Sequence, residues 1–206
     1  MRCWPMTRPE PVWRSLSFWL GALCVAIWFG SLGGRPLFHP DEGRYAEIPR
    51  EMLQGGDWVI PHLNGLVYLE KPPLQYWATA IGYALFGEHE WVARLWTGLT
   101  GLLMIGAVYA AGRNLWGREI GRRAALICGS AVMPMVLGHL LTLDMALSFF
   151  MSATVLCLCV AQTARTSASA SDGWMLLAWL LAAAALLSKG LIGIVLPGAV
   201  FVLYTL

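Results

Sequence analysis

SLSFWLGALCVAIWFGSL, residues 15–32, runs for eighteen residues without a charge. That length decides the fold class, because a helix needs about 20 mostly apolar residues to cross a hydrocarbon core of ~30 Å. Comparable runs follow at 95–112, 124–141 and 145–161, with shorter ones at 174–187 and 191–206. Mean hydropathy is +0.61, and 58% of residues are hydrophobic against 13% charged. The implied fold is an all-α, polytopic transmembrane helix bundle. Three arginines, Arg2, Arg8 and Arg14, precede the first run as they would a signal peptide. The run is longer than a signal core, and no small-residue cleavage site follows it, so a retained first helix is expected after a cytoplasmic tail, 1–14. Cys3, Cys24, Cys128, Cys157 and Cys159 lie in the tail or inside apolar runs, which suits free thiols rather than zinc or disulfides.

Charge distribution sets the topology. The tail and GRNLWGREIGRR (112–123) are rich in arginine and belong on the cytoplasmic side by the positive-inside rule. Residues 33–90 hold eight of the twelve acids and form a long external loop. PPLQYWATAIGYALFG (72–87) is short after its proline pair and rich in Tyr and Trp, so it reads as a juxtamembrane helix on the outer face. Helices two (about 91–111), three (124–141), four and five then alternate in direction. QTARTSASASDG (162–173) reads as a flexible cytoplasmic linker. The run ending at Leu206 has no stop-transfer charges, and the chain is expected to be the N-terminal part of a longer protein.

Outward from the first helix comes FHPDEGRYAEIPREM (38–52), with Asp41, Glu42, Arg44, Glu47 and Arg50 crowded together. Pro40 ends what precedes it, and Asp41 is placed to cap a short amphipathic helix whose regularity Pro49 limits. Asp41 and Arg44 could serve only as cap and ion pair. Against that, acids beside a transmembrane helix are costly, and other ionisable residues reach the same face. GGDWVIPHLNGLVYLEKPPLQYW (55–77) reads as a glycine-ended helix followed by a small hairpin and the extended Glu70-Lys71-Pro72-Pro73. Lys71 suits a lipid phosphate or a snorkelling anchor. Asp144, between two apolar runs, is a functional candidate or the N-cap of helix four, and Lys189 a phosphate ligand or an interface marker. The histidines show no metal-ligand spacing; no metal is assigned, although a divalent cation at Glu70 or His39 stays open.

In that order, HPDEGRYAEIPREM, GDWVIPHLNGLVYLEKPPLQYW, the ARLW helix entry, the arginine-rich turn, TLDM and LLSKG resemble the GT-C membrane glycosyltransferases related to protein O-mannosyltransferases and lipid A aminoarabinose transferases. The resemblance runs from about residue 15 to the end, and the E-x-PREM and G-DW-x-x-P spelling is similar to the bacterial aminoarabinose transferase-like branch. It implies transfer of one sugar (a pentose, aminoarabinose or a hexose such as mannose) from a polyprenyl-phosphate donor to a lipid A-type glycolipid or protein acceptor. The reaction would take place at the outer face of the bacterial cytoplasmic membrane, with inversion. Carried over, Asp41 is the catalytic carboxylate, with Glu42 beside it. Arg44, Tyr45, Glu70, Lys71, Asp144 and Lys189 bind substrate. The bilayer is a partner, and nucleic acid is not. Further helices and a soluble C-terminal domain of the family are expected to be absent from these 206 residues. The rival classes are a transporter or flippase for an anionic lipid, which would place ionisable residues at mid-helix and in paired broken helices, and a non-catalytic binder of polyprenyl-phosphate lipid.

Overall fold

The structure, a computed structural model, describes residues 16–163 and 168–206. The tail 1–14 and part of the 162–173 linker therefore lie outside the described residues. The described segments are α1 (Leu16–Gly30), α2 (Asp41–Gly55), β1 (His62–Leu63), β2 (Leu66–Val67), α3 (Leu74–Phe86), α4 (Glu90–Ala93), α5 (Leu95–Trp116), α6 (Arg118–Ser130), α7 (Val132–Gly138), α8 (Asp144–Thr163), α9 (Ala168–Lys189) and α10 (Ile192–Thr205). Among the described residues, three helices are long and apolar enough to cross a membrane: Leu95–Trp116, Asp144–Thr163 and Ser171–Lys189. α1 and α10 are apolar but shorter.

The expected single third helix is broken. α6 and α7 meet at a bend of 62°, where Ala131 leaves the helical region at φ −69, ψ 137. Pro134 supplies the reason: restarting the helix at Val132 puts the prolyl nitrogen in a first turn, where no N–H is required. The arginine-rich segment is likewise less of a turn than its composition suggests. Helix continues to Trp116 and resumes at Arg118, with only Gly117, at φ 97, between. α5 and α6 can fold back so tightly because they touch at glycines. A Cβ on Gly121 would lie 2.7 Å from the Arg113 amide nitrogen and 2.8 Å from the Tyr109 carbonyl oxygen.

Small residues also govern the rest of the bundle, as expected where close backbone approach rather than hydrophobic burial joins helices in lipid. Ala146 and Ala153 of α8 and Ala185 of α9 are buried with Phe149 and Phe150. α1 is anchored by one large side chain. Trp28 donates from Nε1 to the Gly98 carbonyl at 2.9 Å, and its ring fills a slot where a Cβ on Gly101 or Gly138 would lie 2.7 or 2.6 Å from Cζ2.

On top of the bundle sits a second core. Ile48 and Met52 of α2, Tyr76, Ala80 and Tyr83 of α3, and Leu141 and Leu143 from the α7–α8 link are buried together. Full burial of a side chain such as Ile48 or Met52 contributes ~1.5–3 kcal/mol each. α2 does not stop at Pro49; it runs on to Gly55 and closes on Gly56, whose φ of 71 turns its N–H back to the Met52 carbonyl. A left-handed residue there favours glycine. β1 and β2 pair antiparallel as a minimal hairpin around Asn64–Gly65, and Glu51 accepts hydrogen bonds from both turn amides, Asn64 at 2.5 Å and Gly65 at 3.1 Å. α3, thirteen residues long, starts after Pro73 and ends at Gly87. At 1.5 Å per residue it reaches about 20 Å, short of a bilayer core.

Candidate functional site

Residue phase on α2 separates two neighbouring acids with identical chemistry. Asp41 is the first helical residue after Pro40, and no side-chain cap forms. Its expected capping role is therefore replaced by an ion pair: Arg44 donates from Nη2 to Asp41 Oδ1 at 2.5 Å. The Asp41 side chain is 60% exposed, so its carboxylate is open to a substrate. Glu42, one residue on, points about 100° away around the helix and is 2% exposed.

Six donors converge on the Glu42 carboxylate. Arg94 donates from Nε and Nη2, both at 2.9 Å. Arg35 donates from Nη1 at 2.7 Å and Nη2 at 3.1 Å. The amides of Phe38 and Leu141 complete it, each at 2.7 Å. Burial alone would raise the Glu42 carboxyl; the hydrogen bonds from Arg94, Arg35, Leu141 and Phe38 outweigh it and hold it far below the usual carboxylate range. With its lone pairs so occupied, Glu42 is a scaffold for the loop rather than a group free to take a proton.

Arg94, fully buried between α4 and α5, is the residue that sequence reasoning missed. Besides the two bonds to Glu42, it donates to the carbonyls of Leu32 at 2.7 Å, Arg35 at 3.0 Å and Pro36 at 3.0 Å. A guanidinium has five N–H groups, and all five are used. Arg35 adds a bond to the His139 carbonyl at 3.1 Å. One ionic knot thus ties the end of α1, the start of α2, the start of α5 and the α7–α8 link, and fixes the helix end that bears Asp41. The available signal was a cation at the entrance to an apolar helix, in Ala93-Arg94-Leu95-Trp96.

The remaining candidates gather beside Asp41. Arg44 Nη1 lies 3.9 Å from Glu70, Lys71 Nζ lies 3.2 Å from Glu70 Oε1, and the Tyr68 hydroxyl donates to Glu70 Oε2 at 2.8 Å. Those bonds from Tyr68 and Lys71 lower the Glu70 carboxyl. Burial and the bond to Glu70 push Tyr68 up to about 12. The Arg44 guanidinium sits 5.3 Å above the Tyr45 ring, which stacks on Tyr76 at 6.4 Å. Tyr45 is raised by burial first, and it feels Arg44, Asp41, Glu70 and Lys189 together. Lys189, at the end of α9, is ion-paired with Asp144 at the start of α8, so Asp144 meets a cation there. Among the described residues, no three His, Cys, Asp or Glu side chains form a metal-ligating group, and Glu70 and His39 belong to none. The structure therefore brings together Asp41, Arg44, Tyr45, Glu70 and Lys71, with Asp144 and Lys189 close by, and sets Glu42 behind them.

Residues 70–206 match the family model described as dolichyl-phosphate-mannose-protein mannosyltransferase. The undecaprenyl phosphate-alpha-4-amino-4-deoxy-L-arabinose arabinosyl transferase 1 of Sodalis glossinidius is 36% identical over 191 residues, covering 89% of this chain and 34% of its own length. The corresponding transferase of Pseudomonas aeruginosa is 35% identical over 179 residues, covering 85% of this chain and 32% of its own length. Among solved structures, ArnT from Cupriavidus metallidurans in the apo state superposes with a TM-score of 0.89 at 44% identity, covering 92% of this chain and 36% of that one. The same protein bound to undecaprenyl phosphate gives a TM-score of 0.86, again at 44% identity, over 93% of this chain and 36% of that one. The chain spans about a third of the length of the relatives it matches. With the family model covering most of the chain and the fold shared with ArnT, this chain belongs to the dolichyl-phosphate-mannose-protein mannosyltransferase family of GT-C membrane glycosyltransferases.

Proposed function

We propose that these residues form the catalytic and donor-binding part of a glycosyltransferase. It moves one sugar, an aminoarabinose-type pentose, from a polyprenyl-phosphate donor to a lipid A-type glycolipid at the outer face of the bacterial inner membrane. The observation that carries this reading is the juxtaposition of an open carboxylate, Asp41, with the cations Arg44 and Lys71. The relatives named for undecaprenyl phosphate-linked aminoarabinose support the choice of donor.

The bond between the anomeric carbon and the carrier phosphate oxygen breaks, and its electron pair stays on the phosphate. Lys71 and Arg44 stabilise that growing negative charge as preorganised cations. The acceptor oxygen forms the new bond from the opposite face and inverts the centre. If that oxygen is a hydroxyl, its proton goes to Asp41; if it belongs to an ionised phosphate, no proton moves and Asp41 orients the acceptor and stabilises oxocarbenium-like charge. A positioned base contributes about 10²- to 10⁴-fold. The charged groups lie at helix ends and in the external loop, not at mid-span, which separates this arrangement from a transporter's.

The test is transfer of aminoarabinose from its undecaprenyl-phosphate donor to lipid A in membranes carrying the protein. Asp41→Asn lowers the rate by about 10²- to 10⁴-fold, and Lys71→Ala weakens donor affinity. Normal transfer by Asp41→Asn would overturn the catalytic assignment.

A further inference from the structure

Arg44 marks a boundary on α2. Tyr45, on one side of it, stacks on Tyr76 and feels the charges of Glu70 and Lys189. On the other side, Pro40, Gly43, Glu47 and Arg50 share a face at helical spacing and line a cavity of about 610 Å³ to which Arg44 also contributes. The opposite walls are Leu63 and Asn64 of the hairpin, Tyr83 at the end of α3, and Glu88, His89 and Glu90 around the start of α4. The other described cavities are lined almost wholly by apolar side chains of α3, α5, α8, α9 and α10.

This volume lies in the range of small-molecule sites, 300–1,000 Å³ by general experience, and exceeds what a lone ion would fill. Its chemistry is two-sided. Leu37, Pro40 and Leu63 offer apolar surface to the C–H face of a sugar ring. Around them stand Arg50, which is held by Glu47, and the side chains of Glu88 and Glu90. Carboxylates accept from sugar hydroxyls, while Asn64 and the arginines donate to hydroxyl or phosphate oxygens.

Inversion requires the acceptor to arrive opposite the departing phosphate. Arg44 lines this cleft and also reaches Asp41 and Glu70, and Glu70 is paired with Lys71, so Arg44 stands between the cleft and the Lys71 side of the site. We infer that the cleft seats the sugar headgroup of the acceptor glycolipid, with Arg44 as the wall shared by the two substrates. This rests on the proposed glycosyl transfer and adds where the second substrate binds.

Gly43 provides the test. A Cβ there would meet only the His39 ring, at an ordinary 3.5 Å. Gly43→Leu therefore projects into the cleft from a position whose Cβ is unobstructed, and puts a better helix former in the first turn of α2. Glu88→Ala, on an exposed turn, is the second variant. Equilibrium binding of purified lipid A and of undecaprenyl phosphate is measured separately for wild type and each variant in detergent. In both variants lipid A affinity falls, at least about tenfold for Gly43→Leu, while undecaprenyl phosphate affinity stays within about twofold. Loss of undecaprenyl phosphate binding instead would assign the cleft to the donor and overturn the inference. Unchanged lipid A binding in a folded variant would overturn it too, as would selective loss of a Ser/Thr peptide acceptor. Failure of the wild type to bind undecaprenyl phosphate would strike the proposed function alone, because lipid A binding is read independently.

Discussion

Replacing Arg94 by lysine keeps the charge and nearly the length, yet the structure makes this an expensive change. The arginine makes five hydrogen bonds, two to Glu42 and three to the carbonyls of Leu32, Arg35 and Pro36. An ammonium has three N–H groups, so at least two of the five bonds are lost. At ~1–3 kcal/mol for each lost bond to a buried or charged acceptor, Arg94→Lys costs about 2–6 kcal/mol. For a chain of this size that is a fall in melting temperature of at least about 4 °C. Arg94→Met goes further, leaving a buried carboxylate with Arg35 as its single cation, and costs about 3–5 kcal/mol for the broken pair. Adding Glu42→Leu to Arg94→Met restores part of this loss, because the uncompensated charge is removed as well. Thermal unfolding of the purified protein in detergent, with limited proteolysis of residues 33–90, measures both effects. A melting temperature for Arg94→Lys within ~1 °C of wild type, or a double variant whose losses simply add, would refute the reasoning.

The same knot gives a pH dependence. Glu42 is depressed below its ordinary value of 4.5, so its stabilisation is fully present above that value and is lost as pH falls through it towards the lower folded value. Melting temperature should decline from about pH 5 downward, and less steeply in Glu42→Gln. Gly101→Leu drives a side chain into the Trp28 ring and destabilises the α1 contact by ~1–3 kcal/mol; combining it with Trp28→Leu should recover melting temperature. Lys189→Met breaks an ion pair whose side chains are 33% and 44% exposed, so it shifts stability by only about 0–1 kcal/mol. A larger loss of sugar transfer than of stability would mark Lys189 as a group acting at the site.

The elements that sequence patterns exposed were those whose cause is local. Gly56 after Gly55, Asn64–Gly65 between short apolar pairs, and Pro72–Pro73 before α3 each determine their own turn within a few residues. Asp41, Arg44, Glu70 and Lys71 could be grouped because few ionisable residues exist in so apolar a chain. Long-range causes were hidden. Arg94 is bound largely by backbone carbonyls, which have no signature in residue type, and Glu42 differs from Asp41 in role only because one helical step turns it inward. The break at Ala131 is not visible in hydropathy, since the apolar run passes through it without change.

The Arg94 knot also orders events during synthesis. Glu42 emerges 52 residues before Arg94 and 99 before Leu141, so until those later segments have been made its carboxylate has only the neighbouring Arg35 and the Phe38 amide as partners. Asp41 therefore reaches its final position late, after α5 and the α7–α8 link are in place. A nascent chain stalled before Arg94 would carry the whole of α2 with the Glu42 carboxylate still short of its Arg94 and Leu141 donors.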